Sequence, residues 1–293
     1  MPYRAVSAKI REYERPKRRA LSSRFPALVP PAVAFKRTVR AIKNELSLPR
    51  LERRPYLPCV VARHSSPLFR KLGDSDMSLQ RNKVTNLRIA LERLNGLVIP
   101  PGQTFSFWRA VGGVSKRKGY VEGMLLSNGK VSRGVGGGLC QLSNFLMWIF
   151  LHADIEIVER HHHSVDAFPD SGRTLPFGSG ATVFSNYLDL QVRNASPRPL
   201  QLKLWLTDAF LKGQLLSDAP AERKYHVTER NHCFVNRGGR FFRYNEIHRQ
   251  ARRGGQALGE EKVFVNFAPV AYPVSEGELR EKGLHVLSQP ALY

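Results

Sequence analysis

The chain has 293 residues, with 46 Lys+Arg against 24 Asp+Glu, a formal net charge of +22, 42% hydrophobic and 24% charged residues. These are globular proportions with length enough for a sizeable core, and they exclude collagen-like, mucin-like, wholly disordered and coiled-coil chains. The charge is uneven: residues 1–54 hold 15 basic and 4 acidic side chains, so half of the excess lies in under a fifth of the chain.

That stretch reads as a basic arm, opening with Arg4, Lys9, Arg11 and Arg15. It suits an anionic membrane surface or a phosphate backbone, and a merely solvated arm is the plain alternative. No base-reading motif accompanies it, so specific nucleic-acid binding is not expected. Residues 25–34 are apolar, and Ala32-Val33-Ala34 imitates a signal-peptide cleavage site. Arg24, Pro26, Pro30 and Pro31 nevertheless break that pattern. No segment approaches the ~20 apolar residues of a membrane span. The expectation is a cytoplasmic protein, peripheral to the membrane, with export as the alternative. Three cysteines, Cys59, Cys140 and Cys233, fit free thiols better than a disulfide framework.

In chain order, an amphipathic helix is read around residues 33–46 and an irregular connector over 55–80. A helix over 80–95 follows, with Val84, Leu87, Leu91 and Leu94 on one face. Pro100-Pro101-Gly102 makes a turn, residues 103–108 are extended, and a hairpin is centred on Asn128-Gly129. Gly134 to Gly138 lead into a helix over 141–152, whose stripe is Leu142, Phe145, Leu146, Ile149 and Phe150. A strand at 155–158 and a Gly-, Pro- and His-rich loop over 161–180 come next. Alternating runs then mark strands at 188–192, 200–206, 210–216 and 263–267, with a hairpin about Arg237-Gly238-Gly239. The basic stretch 249–253 reads as a solvated loop.

Helices come first and strands later, without βαβ alternation, which predicts an α+β fold. The expected architecture is a Gly-rich turn leading into a central Cys-bearing helix on mainly antiparallel strands, followed by a β-rich C-terminal region. The divisions are 1–54 (arm), 55–80 (connector), 81–196 (main domain) and 197–293 (β-rich region).

Chemistry concentrates at Gly136-Gly137-Gly138-Leu139-Cys140-Gln141-Leu142-Ser143. A thiol at a helix N-terminus is favoured as thiolate by the dipole and the free N–H groups, and the same turn can hold an oxyanion. Cys140 is thus the candidate nucleophile, with Gly137, Gly138 and Gln141 forming the oxyanion turn. His161-His162-His163 follows; His163 is the candidate base, and Asp166 or Asp170 the candidate orienting acid. Ser143, Trp108 and Arg160 are assigned to the substrate groove, with core packing the plainer role for Trp108. The plain alternatives are a small buried Cys and a solvated His loop. Zinc on Cys140 and the histidines is a further alternative. However, no Cys-x-x-Cys or His-x-x-x-His spacing is present, so no metal or cofactor is expected.

These residues resemble the VanW family, named after an accessory protein of B-type vancomycin-resistance clusters. The resemblance runs from about Arg81 to Ser196. It rests on Asn86-Leu87, Leu94-Asn95-Gly96, Pro101 to Trp108, Gly119-Tyr120, Gly136 to Ser143, Glu159-Arg160 and Leu188 to Asn194. It implies a link to glycopeptide resistance. It also implies, from exported members that are L,D-transpeptidases, cysteine-dependent acyl transfer or hydrolysis on a peptidoglycan-type amide. The family cysteine matches Cys140 and its His-Ser matches His163-Ser164. Many members carry an aspartate where this chain has Gly180. The alternative function is a non-catalytic accessory protein with a degenerate site, binding an anionic surface or a cell-wall peptide or precursor.

Overall fold

The structure is a computed structural model that describes residues 3–15, 26–69, 77–127, 130–167, 169–170, 174–185 and 187–288. Within them the order is α1 (Tyr3–Glu14), α2 (Val29–Ser47), β1 (Cys59–Pro67), α3 (Met77–Leu94), β2 (Val98–Ile99), β3 (Thr104–Ser106) and α4 (Phe107–Val111). Then come β4 (Glu122–Ser127), β5 (Lys130–Val135), α5 (Leu139–Phe150), β6 (Ile155–Glu159), β7 (Gln191–Asn194), β8 (Leu200–Leu206) and β9 (Phe210–Ser217). The chain closes with β10 (Lys224–Arg237), β11 (Arg240–Arg253), β12 (Gln256–Pro269), α6 (Glu276–Glu281) and β13 (Val286–Ser288). The fold is α+β, with helices grouped early and antiparallel strands late. Strands β4 and β5 pair antiparallel, and Asn128 and Gly129, on which a hairpin was expected to centre, lie outside the described residues.

Helix α5 is apolar on most of its sides, and a helix of that kind sits inside a core. Leu139, Leu142, Phe145, Leu146, Met147, Ile149 and Phe150 are all buried in it. Around it pack α3 (Leu87, Leu91, Leu94), a sheet in the order β1-β9-β8-β2, and a second sheet in the order β3-β7-β6. Strands β8 and β9 therefore complete the sheet that β1 and β2 belong to, and their leucines (Leu200, Leu202, Leu204, Leu211, Leu215) face α5's core.

Strand β1 lies where an irregular connector was expected. It pairs with β9 from Cys59↔Ser217 to Pro67↔Phe210. Its own sequence alternates poorly, and its extended state comes from the free edge that β9 offers.

The C-terminal hairpins form a sheet in the order β12-β11-β10-β13, antiparallel except for the parallel β10–β13 pair. Helix α1, the first part of the basic arm, packs against it. Val6 and Ile10 are buried with Cys233, Val235, Phe242, Tyr244 and Leu287. Tyr13 meets the ring of Phe242 edge-on at 5.2 Å.

The solvated-loop reading of 249–253 fails at Arg249. This side chain is buried within β11, donating from Nη1 to the Ala153 carbonyl (2.9 Å) and from Nε to Glu261 (2.7 Å). It fastens the C-terminal sheet to the core around α5, because a buried guanidinium needs oxygen acceptors and the turn before β6 supplies them.

Candidate functional site

The turn before α5 is shaped by close backbone packing. Gly138 is the N-cap of α5 with φ +97°, a left-handed conformation that favours glycine, and a side chain there would collide with Lys83. Gly137 lies directly on Gly123 of β4, so that a Cβ on either would meet the other's backbone. Asn86 of α3 locks the crossing. Its Nδ2 donates to the carbonyls of Gly137 (2.9 Å) and Val121 (3.0 Å), and its Oδ1 accepts the Val121 N–H (2.9 Å).

Cys140 is the second residue of α5 and is half-buried. Its Sγ donates to the Val183 carbonyl at 3.4 Å. Burial pushes the thiol above its ordinary pKa, and the bond to Val183 is one that only the protonated thiol can donate. The resting group is therefore a protonated thiol. Beside it, the N–H groups of Leu139 and Cys140 have no acceptor among the described residues, as expected of the first turn of a helix.

Three further candidates surround this turn. The Gln141 N–H bonds to the Gly138 carbonyl at 3.0 Å. Its Nε2 donates to Ser66 Oγ (3.1 Å) and the Pro67 carbonyl (2.8 Å), tying α5 to the end of β1. Ser143 is fully buried and donates from Oγ to the Ala181 carbonyl at 2.6 Å. Arg160, at the end of β6, donates to the carbonyls of Gly180 (2.8 Å) and Gly178, and to Asn266 Oδ1 (3.0 Å), while its guanidinium lies 3.5 Å over the Phe264 ring. Burial lowers its pKa, and these oxygens and the ring face favour the charged form. A side chain at Gly180 would collide with Asn144, so Asn144 fills the space that an aspartate at 180 would enter.

The histidines approach the same segment from its other side. The Thr182 N–H donates to the His161 carbonyl at 2.8 Å. His161 Nε2 meets Glu159 Oε1 at 2.9 Å, and His162 Nδ1 meets the His163 carbonyl at 2.8 Å. His163 is half-buried. Residues 180–183 are thus flanked by Cys140 and Ser143 on one side and by Arg160 and the start of 161–163 on the other.

Asp166 and Trp108 are placed elsewhere. Asp166 is buried, its Oδ2 accepting from Arg243 (3.2 Å) and the Tyr272 hydroxyl (3.1 Å). Asp170 also accepts from Arg243, at 2.9 Å. Both acids brace the loop against the C-terminal sheet. Trp108 is buried in the main core, with Nε1 on the Leu188 carbonyl at 2.7 Å.

Sequence reading missed several residues that hold this region. Asp189, fully buried, accepts from the N–H groups of Trp108 (3.1 Å) and Leu190 (2.9 Å) and from Gln191 Nε2 (3.0 Å). Glu159 accepts the Asp189 N–H at 3.0 Å and pairs with Arg40. Burial would raise its pKa, but Arg40, the Asp189 N–H and His161 together hold it below its ordinary value. The available signal was their place in the family motifs, Asn86-Leu87, Glu159-Arg160 and Leu188 to Asn194. Among the described residues no three metal-ligating side chains converge.

The profile of the VanW-like protein family matches residues 82–216, from the second turn of α3 to the end of β9. Over 222 residues the chain is 34% identical to the vancomycin B-type resistance protein VanW of Enterococcus faecalis, covering 75% of this chain and 81% of that protein. It is 30% identical over 129 residues to an uncharacterized protein, YoaR, of Bacillus subtilis, covering 43% of this chain and 40% of that one. No solved structure matches the chain.

Proposed function

The chain belongs to the VanW-like family, and on that footing we propose that it serves vancomycin resistance through thiol-based acyl transfer or hydrolysis on a cell-wall-type peptide. One observation carries this reading: a half-buried thiol stands beside two backbone N–H groups, of Leu139 and Cys140, that have no acceptor among the described residues. Such groups are placed to hold the oxygen of a carbonyl under attack.

In the proposed reaction the substrate carbonyl enters beside Sγ and the thiol leaves Val183. The thiol proton passes to the imidazole of His163, and Sγ bonds to the carbonyl carbon. The Leu139 and Cys140 N–H groups bear the developing oxyanion. The leaving amine takes the proton from His163 as the C–N bond breaks, which leaves a thioester. An acceptor amine or water then attacks the thioester and restores the thiol. Arg160 and the carbonyl-rich 180–183 segment line the approach.

An electrophilic thiol probe on the full chain near neutral pH, with a cell-wall peptide present, tests the reading. The expected result is peptide-dependent labelling of Cys140 that drops sharply in His163→Ala. Labelling of Cys140 no faster than Cys59 or Cys233, with and without peptide, overturns it.

A second reading, binding without chemistry, is favoured by the protonated, Val183-bonded thiol. Under it, Cys140→Ser retains full resistance activity in cells.

A further inference from the structure

Helix α2 carries its polar side inward. The positions turned toward the body are Val33, Arg37, Arg40, Ala41 and Asn44. Arg40 pairs with Glu159 and reaches the Tyr187 carbonyl at 3.4 Å, and Arg37 lies 5.2 Å over the Phe184 ring. Glu45 pairs with Arg109 of α4. On the opposite side Phe35, Val39, Ile42 and Leu46 are 70%, 48%, 55% and 83% exposed. Their spacing of four, three and four residues makes one stripe along the helix, about 16 Å long from first to last. The short turn before the helix adds Leu28, 60% exposed and seven residues before Phe35. Lys36 and Lys43, also seven apart and both exposed, border one edge of the stripe.

We propose that α2 docks in the plane of an anionic lipid bilayer, with Phe35, Val39, Ile42 and Leu46 among the acyl chains and Lys36 and Lys43 on the headgroups. An amphipathic helix with large apolar side chains on one face and cations at its border binds membranes in this way. Three observations favour lipid over a protein partner. The stripe is edged by cations, Lys36 and Lys43, and it belongs to the stretch 1–54 that carries a net +11 by sequence. Self-association along the stripe would bring Lys36 and Lys43 of two copies, each of net charge +22, toward one another. No described helix is long and apolar enough to cross a membrane, so attachment through described helices would be to the surface. Docking would also bear on the site, because Arg37 rests on Phe184, the neighbour of the Val183 that holds Cys140. The proposal stands independently of any chemistry at Cys140.

Co-sedimentation of the full chain with vesicles of phosphatidylcholine, with and without phosphatidylglycerol, tests it. The wild type is expected to bind the anionic vesicles and to be released by raised salt. Phe35→Ser with Ile42→Ser, and separately Lys36→Glu with Lys43→Glu, should each lower the partition coefficient about ten-fold or more. All four side chains are exposed, and an unchanged circular dichroism spectrum verifies that the fold is kept. Failure of the wild type to bind anionic vesicles, or binding by the Phe35/Ile42 variant equal to wild type, overturns the proposal. So does a lipid-free dimer that the Phe35/Ile42 variant dissociates, which would assign the stripe to a second copy.

Discussion

The thiol of Cys140 donates to the main-chain oxygen of Val183 at 3.4 Å, so the start of α5 is tied to residues 180–183 in the resting protein. The same segment receives Ser143 at Ala181 and offers the Thr182 N–H to His161. A ligand that reaches Sγ must therefore compete with a backbone carbonyl, and that contact makes the thiol's behaviour predictable.

Burial raises the Cys140 pKa above the ordinary thiol value. The thiolate fraction at a given pH is thus smaller in the folded protein than in the unfolded one. Alkylation of Cys140 by iodoacetamide should reach half its limiting rate at a higher pH in the native protein than in urea. Peptide mapping of the alkylated chain across a pH series reads the midpoint. A native midpoint below the unfolded one would show that the helix N-terminus outweighs burial.

Asn86 is fully buried and its amide makes three bonds at the glycine crossing. Asn86→Ala leaves the Val121 N–H and the Gly137 carbonyl without that partner. The expected loss is about 3 kcal/mol of stability, measured by urea denaturation. An effect below about 0.5 kcal/mol, the scatter of ordinary surface substitutions, would contradict the clamp assigned to α3.

Gly137→Ala places a methyl group against the Gly123 backbone, which cannot swing aside as a side chain does. It should cost about 3 kcal/mol, the upper range for overpacked sites. Gly277→Ala, where a Cβ meets nothing within 4 Å, is the control and should be close to neutral. Paired thermal melts of the two variants make the comparison.

Glu159 holds a pKa below its ordinary value of 4.5 through Arg40, the Asp189 N–H and His161, despite its burial. A carboxyl of lowered folded-state pKa contributes stability above the unfolded value, and that contribution is lost as pH falls through the folded one. Acid should therefore loosen the α2 contact at Arg40 below about pH 4.5. Hydrogen exchange of α2 should rise there in the wild type. In Glu159→Gln it should already be raised at neutral pH and change less with acid. Equal pH dependence in both proteins would remove Glu159 from the role.

Local periodicity made much of this fold legible. Leu142 to Phe150 announced the central helix, and the alternating leucines at 200–206 announced β8, because such patterns report which faces of an element are apolar. The glycine run and Cys140 marked the turn before α5 by composition alone. β1 was not legible, since its extended state depends on pairing with β9 some 150 residues away. Nor was the role of Arg249, which reads as one cation among three until β11 is laid against the Ala153 carbonyl.

The sequence by itself determined the α+β class, the central helix, the family motifs and the concentration of charge before residue 55. Only the tertiary structure decided which way each pattern faces. The helix around residues 33–46 reads as amphipathic, and its apolar stripe from Phe35 to Leu46 points outward because Glu159 and Phe184 receive Arg40 and Arg37 on the other side. Asp166, close in sequence to His163, is held by Arg243 from a different sheet. Periodicity encodes spacing along one element, whereas direction is set by charges and carbonyls that the rest of the chain brings to meet it.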